Sequence, residues 1–129
     1  MNGPRLGYVI LYVKNVLDTV AFYREAFGLK ERFIHESKQY AEMETGQTSL
    51  AFANENFVRE SYPFRQNRLN QEAPGAEIAL IFKDVNDAFN QALKAGAVEV
   101  LAPAQKPWGQ TVSYVRDQNG FIVEICDAI

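Results

Sequence analysis

The sequence predicts an α+β fold in which one strand–helix–three-strand plan occurs twice, with the helices covering one side of the strands. Three observations predict it. The chain repeats itself: residues 7–28 laid over residues 76–97 match at Leu11/Leu80, Lys14/Lys83, Val16/Val85, Asp18/Asp87 and Ala26/Ala95, and the polar and apolar positions between them follow. Each copy passes from a short apolar run to helical apolar spacing. Finally, 129 residues with 47% hydrophobic and 22% charged side chains amount to one domain with a real core.

In the first copy, Tyr8-Val9-Ile10-Leu11-Tyr12-Val13 is short and rich in β-branched and aromatic residues, which reads as a buried strand. Asn15, with Asp18 three residues on, starts a helix by satisfying free backbone N–H groups and opposing the dipole. Val16, Val20, Tyr23 and Phe27 then recur at helical spacing, and Gly28 stands where a C-cap belongs. Residues 31–36, 40–44 and 48–53 read as three further strands, the last two joined by a turn at Thr45-Gly46-Gln47.

The second copy repeats the order. Ile78-Ala79-Leu80-Ile81-Phe82 is the strand, Asp84 with Asp87 the helix start, Val85, Phe89, Ala92 and Leu93 the apolar stripe, and Gly96 the C-cap. Residues 98–101, 110–116 and 121–126 supply the remaining strands, and Asn119-Gly120 between the last two predicts a tight primed hairpin turn. The modules therefore cover about residues 5–54 and 76–127 of a single domain, 1–129, with a connection over 55–75. That connection carries Phe57, Tyr62 and Phe64 among arginines, and reads as a solvated linker with docked aromatics or as a lid over a pocket.

Charge and cysteine content remove whole classes of function. Thirteen basic against sixteen acidic residues give a net charge of −3 without basic clusters, so neither nucleic acid nor an anionic membrane is an expected partner. No apolar run approaches the roughly 18 residues that span a bilayer. The opening Met1-Asn2-Gly3-Pro4-Arg5-Leu6 has no apolar core or cleavage site of a signal peptide, and the single Cys126 forms no intrachain disulfide, so a cytoplasmic protein is expected.

Strand alternation sorts side chains onto two faces. Val9, Leu11, Val13, Leu50, Phe52, Ile78, Leu80, Phe82, Phe121, Val123 and Ile125 form a uniformly apolar face for the helices. The opposite face holds Tyr8, Ile10 and Tyr12, then Ser49, Ala51 and Ala53, then Glu77, Ala79 and Ile81, and finally Ile122, Glu124 and Cys126. Glu124 is the odd residue: a carboxylate among apolar neighbours needs water, a partner, a proton or a metal.

These residues resemble a known family. The duplicated plan carries Leu11-Tyr12-Val13-Lys14-Asn15, Ala21-Phe22-Tyr23 and Phe27-Gly28-Leu29. It closes on Pro107-Trp108-Gly109, Arg116-Asp117-Gln118-Asn119-Gly120 and Val123-Glu124-Ile125. Over nearly the whole chain this is similar to the vicinal oxygen chelate superfamily, which includes glyoxalase I, bleomycin-resistance proteins, fosfomycin-resistance enzymes and extradiol dioxygenases. The resemblance implies a curved mixed sheet around a concave cavity, a homodimer, and four ligand positions on the cavity face. Carried over, they fall on Tyr8, where His is usual, on Ala51, which cannot ligate, on Glu77, where His or Gln is common, and on Glu124, which matches.

Two carboxylates and a phenol without imidazole suit a small-molecule binding protein of the bleomycin-resistance type better than a metalloenzyme. No cofactor is expected on this reading, and Tyr8, Tyr12, Ala51, Glu77, Trp108 and Glu124 bind the ligand. The alternative is a glyoxalase-like lyase or isomerase with a divalent metal on Glu77 and Glu124, the latter catalytic. Trp108 either stacks on a ligand or plugs its loop against the sheet. His35 stands alone on its strand, and Cys126 has no base beside it.

Overall fold

A computed structural model describes residues 2–129. Eleven elements follow in order: β1 (Tyr8–Val13), α1 (Val16–Phe27), β2 (Glu31–Ile34), β3 (Tyr40–Met43), β4 (Ser49–Asn54), α2 (Glu55–Arg59), β5 (Glu77–Ile81), α3 (Val85–Lys94), β6 (Val98–Gln105), β7 (Thr111–Arg116) and β8 (Ile122–Cys126). They make two four-stranded mixed sheets, ordered β1-β4-β3-β2 and β5-β8-β7-β6, neither of them closed. In each, the first strand pairs parallel with the last and the remaining pairs are antiparallel. The repeated plan read from the sequence is thus the plan of the fold. Two compact units result, one from the N-terminus to Arg24 plus Gly28–Gln66, the other Glu25–Phe27 plus Asn67–Ile129.

The helix starts are those expected. The Asn15 side chain accepts from the Asp18 N–H at 2.9 Å and the Asp84 side chain from the Asp87 N–H at 3.0 Å. Gly28 takes the left-handed φ of 73° that ends α1 and donates its N–H to Arg24. In the first unit β4 is buried along nearly its whole length, and Tyr23 of α1 meets Phe52 of β4 with ring centroids 4.9 Å apart, both fully buried. In the second unit α3 lays Val85, Phe89 and Ala92 over a sheet whose covered face carries Val115, Val123 and Ile125. The alternation holds: Val13 is buried while Tyr8 and Ile10 on the opposite parity are exposed.

Three features differ from expectation. The strand expected over 98–101 runs on to Gln105, because it crosses two register shifts, between Glu99 and Leu101 and between Leu101 and Ala104, instead of stopping at the first. The connection after β4 opens with a helix, α2, since the Asn54 side chain accepts from both Asn56 and Phe57 N–H groups. The turn before β8 is no two-residue primed hairpin. Buried Asp117 accepts side-chain bonds from the N–H groups of Asn119 and Phe121, its own N–H reaches the Phe121 carbonyl, and only Gly120 takes a positive φ. That five-residue loop sets the register of everything behind it.

Candidate functional site

In the second unit the register brings four polar side chains together on the uncovered face. Glu124 of β8 stands opposite Ala79 of β5 on one side and Tyr114 of β7 on the other. Glu77 lies two residues before Ala79 on the same parity, and Cys126 two residues after Glu124. The Glu77 carboxyl hydrogen-bonds to Glu124, and that bond raises it to about 7, with partial burial and the Glu124 charge pushing the same way. Burial acts against the charge of Glu124. Hydrogen bonds from Glu77, Cys126 and Tyr114 and the positive charge of Lys106 overcome it and hold Glu124 below its ordinary value. The pair is thus driven apart in proton affinity, Glu77 raised and Glu124 lowered. Burial first, and the charge and hydrogen bond of Glu124 second, also raise the Tyr114 phenol.

Tyr114 is the member that sequence reasoning missed. A two-residue turn at Asn119-Gly120 would have set it opposite Ile125, on the face under α3, and the longer loop shifts the pairing by one residue and turns the side chain to the acids. Cys126 is no nucleophile. It is buried, its thiol lies 3.7 Å from the Leu80 carbonyl, and burial together with Glu124 pushes it up to about 11. Trp108 is 62% exposed, so it does not plug its loop; its indole N–H donates to Gln110 Oε1 at 2.9 Å, and Gln110 in turn donates to the Asp127 carbonyl.

In the first unit Tyr8, Tyr12 and Ala51 share the corresponding face. Ala51 is fully buried between its register partners Ile10 and Glu42, and supplies floor instead of a donor. The Tyr12 hydroxyl is bonded to that of Tyr62, which raises it, and its ring meets the edge of Phe64 at 4.8 Å. The Arg59 guanidinium lies 4.6 Å from the Phe64 ring centre. Residues 59–64 are thus docked on the end of β1 by aromatic contacts. His35 bonds Ser37 in an exposed turn and approaches no other site residue.

The fold's relatives commonly hold a divalent metal, and the donors at the carried-over positions are oxygen alone, which suits zinc or ferrous iron poorly. Tyr8 and Ala51 of the first unit offer a phenol and a methyl group, Glu77 and Glu124 of the second two acids, and none of them supplies nitrogen. Among the described residues no group of three or more His, Cys, Asp or Glu side chains stands together to hold an ion. What the acid cluster can do is accept hydrogen bonds from, or pair with, a cationic group brought by a ligand.

Comparison with known proteins agrees with the architecture. The family model described as Glyoxalase/Bleomycin resistance protein/Dioxygenase superfamily matches residues 5–125. The chain is 24% identical over 124 residues to the protein YraH of Bacillus subtilis, covering 94% of this chain and 96% of that one. Among solved structures it is similar to a glyoxalase-related enzyme from Fulvimarina pelagi, with a TM-score of 0.83 at 17% identity over 98% and 89% of the two chains. It is also similar to TioX from Micromonospora sp. ML1, with a TM-score of 0.72 at 20% identity over 98% and 100%. At such identities the likeness to the solved structures is one of fold.

Proposed function

This chain belongs to the glyoxalase/bleomycin resistance protein/dioxygenase superfamily, and from that premise we propose that it is a cytosolic, homodimeric small-molecule binding protein that works by sequestration without a metal. The observation that carries the reading is that Glu77, Glu124 and Tyr114 share the uncovered face of the second sheet, Glu124 standing in register between Ala79 and Tyr114. An anionic pair with a phenol at its side is a receptor for a basic or hydrogen-bond-donating ligand, with Trp108 of the same unit offering aromatic surface. A catalytic ion would instead need both acids ionised and further donors beside them.

The ligand's cation takes the place of the proton on Glu77, so binding below neutral pH releases protons and tightens as pH rises through about 7. Exposed apolar side chains on β1 and β5, Ile10 and Ile81, support the dimer. Metal analysis of the purified protein, combined with a thermal shift titration with metal-free bleomycin, tests the reading. The expected result is substoichiometric metal and a rise in Tm that survives EDTA and disappears in Glu124→Gln. One tightly held divalent ion per chain, with a lyase or isomerase activity that EDTA abolishes and Glu124→Gln destroys, would overturn it in favour of the metalloenzyme.

A further inference from the structure

The first unit contains a pocket of its own. It has a volume of about 190 Å³ and is lined among others by Arg5, Tyr8, Arg32, Glu42, Gln47 and Ser49. Drug-sized ligands occupy cavities of about 300–1,000 Å³, so this one suits a handful of heavy atoms. Its lining is polar and carries both signs of charge.

Arg32 is there because of a defect in the sheet. Glu31 pairs with Met43 and Phe33 with Glu42, so Arg32 is the extra residue of a bulge in β2, and a bulge re-aims the side chain it carries. Arg32 Nη1 donates to the buried Ser49 Oγ at 3.1 Å. That bond uses one of five guanidinium N–H donors. Among the described residues neither Arg32 nor Arg5 forms an ion pair. Two guanidiniums without carboxylate partners at one pocket match a planar oxyanion. Opposite in sign, Glu42 accepts the Tyr40 hydroxyl on Oε2 at 2.8 Å, which leaves Oε1 without a partner among the described residues.

The geometry points to a binding site for a small zwitterion of the α-amino-acid class, its carboxylate held between Arg5 and Arg32 and its ammonium by Glu42. A simple anion would gain from the two arginines and meet repulsion from Glu42; a zwitterion satisfies all three. The site uses neither Glu77 nor Glu124, so it and the proposed function can each fail alone.

Titration of the full-length protein with L-alanine, followed by amide chemical shifts, tests it. Saturable shifts are expected at Gly7, Arg32, Gln47 and Ser49, with propionate and ethylamine binding at least about tenfold more weakly. Arg5→Gln and Arg32→Gln should each weaken L-alanine about tenfold, the value of a charge-assisted hydrogen bond. Arg5 lies outside every strand, so its variant keeps the test decisive if the bulge variant misfolds. Absence of saturable shifts with L-alanine, propionate binding as tightly as L-alanine, or unaltered affinity in a folded Arg5→Gln protein would overturn the assignment.

Discussion

The raised proton affinity of Glu77 makes it a reporter of its surroundings. Its folded pKa, raised to about 7 from an ordinary value of 4.5, means the native state binds a proton that the unfolded chain releases. The stability this proton contributes is complete below about pH 4.5 and is lost as pH rises through about 7. Chemical denaturation between pH 5 and 8 should therefore show stability falling with pH, and Glu77→Gln should flatten that slope. A slope unchanged in the variant would mean that the raised proton affinity does not belong to Glu77. Both acids were legible in the sequence because parity alone places Glu77 and Glu124 on one face. Tyr114 was not, because its face depends on a loop length that the Asn119-Gly120 pair misstates: the carboxylate of Asp117 organises a longer turn than the local dipeptide prefers.

At the scale of elements, the ends of strands and helices follow local chemistry. Asn15, Asp84 and Gly28 could be placed from sequence since a cap answers to its own neighbours. The docking of residues 59–64 could not, because Tyr12 meets Tyr62 and Phe64 across some 50 residues of chain. Phe64→Ala should release that segment: hydrogen exchange at the Ser61 and Tyr62 amides, both bonded to the Val58 carbonyl, should quicken while β4 amides keep their protection. Gly120 is held more tightly still. A Cβ there would lie 2.7 Å from the Arg68 carbonyl group and the Arg116 guanidinium, at a φ of 92°. Arg116 itself donates to the carbonyls of Gly120, Leu69 and Arg68, so the clash falls on backbone that cannot yield. Gly120→Ala should cost at least about 1–3 kcal/mol in urea unfolding, from strain in the left-handed region plus the clash.

For the whole molecule, duplication was the readable fact, because two copies of one hydrophobic grammar cannot arise from a single local preference. The proposed homodimer makes its own demand. Ile81 is 70% exposed on the face opposite α3, so Ile81→Asp should leave the monomer folded and shift sedimentation from dimer to monomer. An unaltered dimer would locate the interface elsewhere. The outermost strand of the second sheet carries a different implication. β6 is eight residues long and leaves Val98, Val100 and Leu101 exposed, a composition that invites neighbouring molecules to zip on and seed fibrils. Its two register breaks bend and twist the strand every few residues, so an incoming ribbon finds no continuous template along it.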